Sequence, residues 1–170
     1  MNLIAKIFSF LFVVLFSVAT NADNVFHLPQ NAHGFIQVDD IKKNEYRQIV
    51  YAKENKALSI IYNFSKNYDF KKVLMSEVQN LQKIKNLPSG KIKYFSSNKL
   101  KSMGSHFDAV LFTAFPKQGI QRFDITALAK NGKDLIKIRY TGLDSENLQS
   151  DFKSAMVISE AFLANLINTN

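Results

Sequence analysis

The sequence contains no cysteine. Disulfides are therefore excluded, and so is a lipoprotein anchored through a cysteine. If the chain is exported, its stability rests on its core alone. No glycine-rich loop that cradles phosphate is present, and no dinucleotide fingerprint. No Gly-x-Ser-x-Gly turn is present either, so the strained strand-to-helix nucleophile elbow is missing. No cofactor is expected. No internal repeat, linker or biased segment interrupts the chain. Acidic residues are scarce in one place above all: none occurs between Val78 and Phe107.

The N-terminus is organised differently from the rest. Lys6 precedes an apolar run, Ile7 to Val18, broken only by Ser9 and Ser17. Thr20-Asn21-Ala22 then offers small or short residues before Asp23. This pattern predicts a secretory signal peptide over residues 1–22, with cleavage after Ala22 and Ala19 as the second choice. A retained anchor is the alternative, but the run falls short of the ~20 apolar residues that a span needs. After processing, the chain is not expected to be an integral membrane protein. Residues 23–170 have the length of a single domain and suffice for a sizeable core. The expected compartment is periplasmic or secreted.

The middle of the chain turns on Asn131-Gly132, a strong hairpin signal. A two-residue turn there predicts Phe123 opposite Tyr140, Ile125 opposite Ile138, and Ala127 opposite Ile136. All six share one apolar face. The other face carries Arg122, Asp124, Thr126, Lys137, Arg139 and Thr141, with Asp124 expected across from Arg139. A slip of one residue would bury two cations, a cost that pins the expected register. A second hairpin is predicted from Arg47 to Phe64, with Ile49 and Tyr51 on one side, then Leu58, Ile60, Tyr62 and Phe64 on one face. Phe35 to Val38 reads as an edge strand, Lys91 to Ser97 as a short strand, and Ser97 to Ser105 as a polar loop. Phe107 to Phe115, apolar on both faces, belongs inside the sheet.

Asp69 predicts an N-cap for a helix from Phe70, with Val73, Leu74, Val78, Leu81 and Ile84 at helical spacing. Pro88-Ser89-Gly90 stops it. A last helix, capped at Ser145, carries Leu148, Phe152, Ala155, Met156, Ser159, Phe162, Leu163 and Leu166 on one stripe. The expected fold class is α+β: an antiparallel sheet of about six strands with two amphipathic helices packed on it, sandwich-like. This element order, together with the Lys137-Ile138-Arg139-Tyr140 end of the hairpin, resembles the PsbP-like α/β/α sandwich family. The resemblance implies a sheet between helices over about Gly34 to Leu166. It also implies a largely non-enzymatic exported protein, so no catalytic residue carries over.

Lysine and arginine total 22 against 14 acids, a net charge of +8. The acid-free window holds Lys83, Lys85, Lys91, Lys93, Lys99 and Lys101, interleaved with Tyr94 and Phe95. These lysines are the candidate anion-binding residues. Lysine suits point-charge contact with phosphate better than bidentate recognition. The expected partner is an anionic lipid headgroup, including phosphoinositides, another phosphate-bearing ligand, or a host surface. A solvated lysine face is the competing reading, and Lys83 and Lys85 also complement a helix C-terminus. Nucleic acid is not expected, because stacking aromatics on a sheet face are too few. Ser105-His106-Phe107-Asp108 has hydrolase residue types. On a strand, however, Ser105 and His106 would point apart, so a loop end is the plainer reading. His27, His33, Asp39 and Asp40 lack the spacing of a zinc site. Glu160 has no acidic partner in view. The leading expectation is a non-catalytic exported binding protein. The alternatives are a small hydrolase using His106 and a structural subunit of an envelope complex.

Overall fold

The computed structural model of the chain describes residues 28–63, 68–85, 91–117, 120–143 and 147–167. The predicted signal peptide, His27, Phe64, the Pro88-Ser89-Gly90 stop and Ser145 lie outside them. The strands are β1 (Asn31–Ala32), β2 (Phe35–Lys42), β3 (Tyr46–Lys53), β4 (Lys56–Asn63), β5 (Ile92–Ser96), β6 (Ala109–Lys117), β7 (Ile120–Asn131) and β8 (Asp134–Leu143). The helices are α1 (Phe70–Lys85), α2 (Ser97–Ser102) and α3 (Leu148–Ile167). All eight strands form one antiparallel sheet in the order β1-β2-β3-β4-β8-β7-β6-β5. Two four-stranded meanders meet at the β4–β8 seam. Between them the chain crosses from β4, inside the sheet, to β5 at its edge, and α1 lies in that crossing.

The expectation of about six strands and two helices is therefore corrected to eight strands and three helices among the described residues. β1 has two residues, too few to show alternation. The predicted loop from Ser97 contains α2, whose only buried side chain is Leu100. One apolar residue has no period to read. β6 begins at Ala109 rather than Phe107, although Phe107 is itself buried.

The main hairpin forms, with a different register. Asn131 pairs with Asp134, so the turn residues are Gly132 and Lys133. Gly132 has φ +60 and Lys133 is not among the positive-φ residues, the pattern of a type II′ turn with glycine at its first central position. Phe123 then faces Gly142, Ile125 faces Tyr140, and Ala127 faces Ile138. The offset from the expected register is two residues, so every side chain keeps its face. The Phe123 ring accounts for the choice. It stacks on Tyr140 with centroids 5.8 Å apart and covers Gly142 so closely that a Cβ there would lie 2.2 Å from Cε1. Only glycine admits that approach. Asp124 faces Thr141 and not Arg139, and Arg139 faces Thr126.

One face of the sheet carries the main core. Ile49, Tyr51, Leu58, Ile60, Tyr62, Val110, Phe112, Phe123, Ile125, Ile136, Ile138 and Tyr140 are buried there. α3 lies across this face. Its Phe152 stacks on Phe95 at 5.3 Å and meets Phe112 edge-on at 5.2 Å, and its Phe162 packs on Tyr51 at 4.9 Å. The predicted stripe of α3 is the buried one, from Ala155 to Leu166. Its cap is Asn147 rather than Ser145: Asn147 Oδ1 accepts from the Gln149 and Ser150 N–H groups at 3.2 and 3.1 Å. Asp69 caps α1 as expected, accepting from Lys71 and Lys72 at 3.0 and 3.2 Å.

The opposite face carries Leu111, Thr113, Asp124, Thr126, Leu128, Leu135, Lys137 and Arg139. α1 rests on it through Leu81 and the buried carboxylate of Glu77. The sheet thus lies between α3 and α1.

Candidate functional site

Four of the six candidate lysines follow one another along one edge of the sheet. Lys91 precedes β5 and Lys93 lies within it. Lys99 and Lys101 stand on α2, which continues directly from β5. All four are exposed. Among the described residues β5 pairs only with β6, so it is an edge strand of the sheet. Lys93 faces Phe112 and projects to the α3 side, whereas Tyr94 faces Leu111 and projects to the α1 side, 53% exposed. Leu100, fully buried, ties α2 to the core and leaves the lysines on either side of it outward. The helix ends in a tight sequence of bonds: Met103 N–H donates to Leu100 O at 2.9 Å and Gly104 N–H to Lys101 O at 3.0 Å. Gly104 adopts φ +76 to close it, and Met103 is left 52% exposed. Lys83 is exposed on α1, in the layer over the other sheet face. The side chain of Lys85, the last residue of α1, lies outside the described residues.

The loop after α2 is fastened to α3 by Glu160. Its Oε1 accepts from the Ser105 hydroxyl and from the His106 N–H at 3.1 Å, and its Oε2 lies 3.1 Å from His106 Nδ1. Ser105 Oγ in turn accepts from Phe107 N–H at 3.2 Å. The three residue types of a catalytic triad meet here, but in the wrong order. In a triad the serine bonds to the imidazole and the acid bonds only to the imidazole's far nitrogen. Here the serine hydroxyl is spent on the carboxylate itself. The arrangement orients His106 and turns the Ser105 hydroxyl to the carboxylate instead of to the imidazole. The His106 side chain is 74% exposed.

The N-terminal histidine and aspartates do not assemble. His33 sits in the β1–β2 turn with φ +54, its ring 6.2 Å from that of Phe162. Asp40 forms an ion pair with Arg47 at 2.6 Å. Among the described residues no group of three or more His, Cys, Asp or Glu is placed to hold a metal ion. Nor is any described helix long and apolar enough to cross a membrane.

Sequence reasoning missed Glu77, and it named Glu160 without finding what that carboxylate holds. Glu77 is 5% exposed and lies between Lys137 Nζ at 2.8 Å and Arg139 Nη2 at 2.5 Å. Burial pushes its carboxyl pKa up, but the two cations and their hydrogen bonds outweigh burial and hold it below its ordinary value. Lys137 is shifted down, by burial first and by the Arg139 charge second, against the pull of Glu77. The signal for Glu77 was present in its spacing, three residues from Leu74 and four from Leu81, on the stripe that α1 buries. Glu160 gave a weaker one, as the only acid in the second half of α3. Comparison of the sequence with protein-family models and with curated proteins returned no match.

Proposed function

We propose that this is an exported, non-catalytic binding protein whose partner is an anionic lipid surface. The observation that carries the reading is the edge formed by β5 and α2. There Lys91, Lys93, Lys99 and Lys101 are all exposed, no acid interrupts the sequence, and Tyr94 and Met103 are exposed on the same segment of chain. Lysine charges with neighbouring exposed aromatic and thioether groups suit a headgroup layer, where charge meets phosphate and apolar tips enter the interface. The engagement of Ser105 by Glu160 supports the non-catalytic part. The layering of a sheet between α1 and α3 supports the resemblance to PsbP-like proteins, itself a proposal.

The test is cosedimentation of the mature chain with phosphatidylserine vesicles. Each lysine near an anionic membrane contributes about 1 kcal/mol. Changing Lys91, Lys93, Lys99 and Lys101 together to glutamine is expected to weaken binding by about 4 kcal/mol. Four changes elsewhere, at Lys117, Lys130, Lys133 and Lys153, are the control. Equal losses from both sets would mean that only net charge matters. Absence of binding by the parent at low salt would refute the reading.

One contact favours a second reading. Glu160 holds His106 Nδ1 at 3.1 Å and leaves the other ring nitrogen outside that contact, as a carboxylate does for a general base. In that reading the protein is a hydrolase acting through His106 on a bound water.

A further inference from the structure

The sheet has a second edge, at the far end from β5. β1 is outermost there, but it has two residues and pairs only with Phe35 and Ile36 of β2. Gln37 N–H still reaches Gln30 O at 2.8 Å. Beyond that point, among the described residues, β2 pairs with β3 alone. Asp39, Asp40, Ile41 and Lys42 face Val50, Ile49, Gln48 and Arg47 in continuous register, past the irregularity between Gln37 and Asp39. Lys43 N–H donates to Tyr46 O at 2.9 Å. Backbone groups alternate in direction along an antiparallel strand. The N–H and C=O of Ile41 therefore turn to β3 like those of Lys43, and those of Asp40 and Lys42 turn outward. Such an edge is a template for another strand.

The side chains on this edge are ordered by charge. Asp39-Asp40-Ile41-Lys42-Lys43 has acids before the isoleucine and lysines after it. Asp40, Lys42 and Lys43 are exposed, and Asp39 and Ile41 are half-buried. Charge on an edge deters chance pairing. A strand of one sign would meet its own sign on part of this segment. A second copy, running antiparallel, need not. For the ladder to close, outward-turned residues must stand opposite one another. Asp40 against Asp40, or Lys42 against Lys42, sets like charges together, which is destabilising. Asp40 against Lys42 avoids this. Each such pair exchanges both backbone hydrogen bonds, a two-fold axis passes at Ile41, and Asp39 falls against Lys43.

The local bonds fit this arrangement. Asp40 accepts from Arg47 Nε and Nη2 at 2.9 and 2.6 Å, which fixes its carboxylate on the face of Ile49. Asp39 Oδ1 accepts from Asp40 N–H at 2.9 Å and so covers an outward donor in the single chain. Pairing exchanges that exposed bond for Lys42 O of the second copy, and it turns the Asp39 carboxylate to the second copy's Lys43.

We propose that two copies of this chain associate through residues 39–43 of β2 and its end, antiparallel about Ile41, to form one continuous sheet. A pairing this short buries less than the ~1,600 Å² of a standard interface, so the dimer is weak and in exchange with monomer. It lies at the opposite end of the sheet from the lysine edge and does not rest on the lipid reading.

The test is sedimentation equilibrium of the mature chain from micromolar to millimolar concentration, at ~0.15 M salt so that the net charges of two copies are screened. The parent is expected to show a monomer–dimer equilibrium. Asp39→Lys sets two lysines together, and Lys43→Asp sets two acids together. Each variant alone is expected to self-associate roughly tenfold more weakly than the parent. Neither side chain is buried, so both variants are expected to melt as the parent does. Mixed in equal amounts, they are expected to form a heterodimer of parental strength, because each lysine again meets an acid. That recovery requires position 39 to lie against position 43. Amide exchange is the second readout: the Asp40 and Lys42 amides are expected to gain protection as concentration rises, and the Ile41 amide, turned to β3, to change little. A parent that stays monomeric over the whole range would overturn the proposal and leave the edge to a different chain or to solvent. So would single variants that associate as the parent does, or a mixture that associates no more strongly than its components.

Discussion

Glu77→Gln tests the energetic role of α1's only buried carboxylate. The side chain of Glu77 is 7% exposed, that of Lys137 19%, and that of Arg139 37%. Removing one partner of a buried ion pair costs about 3–5 kcal/mol, because the remaining charge stays buried. Arg139 is exposed enough for water to screen it, which lowers the figure toward an exposed pair. A loss of about 2–3 kcal/mol is expected at pH 7. For a chain of this size, that lowers Tm by about 5–10 °C. Urea unfolding with a constant m-value is the assay. The pH profile supplies a second readout. The Glu77 pKa is lower in the folded state than in the unfolded one. Its contribution is therefore fully present above the unfolded value, near 4.5, and is lost as pH falls through the folded value. Parent and variant are expected to converge in stability on acidification across that window. The lowered Lys137 pKa has the same sign in the alkaline range: stability rises as pH passes upward through it toward 10.5. A Glu77→Gln variant within about 0.5 kcal/mol of the parent at pH 7, the range of an ordinary surface change, would refute the reasoning.

Two further outcomes are expected. Gly142→Ala places a Cβ 2.2 Å from Phe123 Cε1 and 2.6 Å from Cζ, so the buried ring must move, at about 1–3 kcal/mol. Phe123→Leu in the same chain is expected to recover part of this loss, and additive costs in a double-mutant cycle would show that the ring is not the cause. His106→Ala removes an exposed ring and is expected to leave both vesicle binding and melting temperature unchanged. Loss of a measured ester or phosphoester turnover with the fold intact would establish the hydrolase reading instead.

The local signals were legible where a period or a cap was long enough to count. Asp69 and the buried stripe of α3 follow from spacing alone, and so do the inward faces of β3, β4, β7 and β8. Elements with little period were not legible. β1 has two residues and α2 one buried side chain, so neither leaves a repeating trace. The cap of α3 moved from Ser145 to Asn147 because both are good cap residues and local sequence does not rank them. Of the candidate lysines, sequence supplied the cluster. The tertiary structure separated Lys83, on α1, from the four along β5 and α2.

The hairpin shows how the two sources divide. Sequence determined which side chains share a face, because alternation is a property of one strand and survives any shift by two residues. It did not determine the register, because that depends on which neighbour has room for the Phe123 ring, and the room is made by Gly142 on the other strand. The polar face divides in the same way. Sequence placed Lys137 and Arg139 together on it, away from the apolar core. Only the tertiary structure brought Glu77 down onto them, 60 and 62 residues away along the chain. A charge's partner across such a distance is fixed by how the chain crosses from β4 to β5, and no local pattern encodes that crossing.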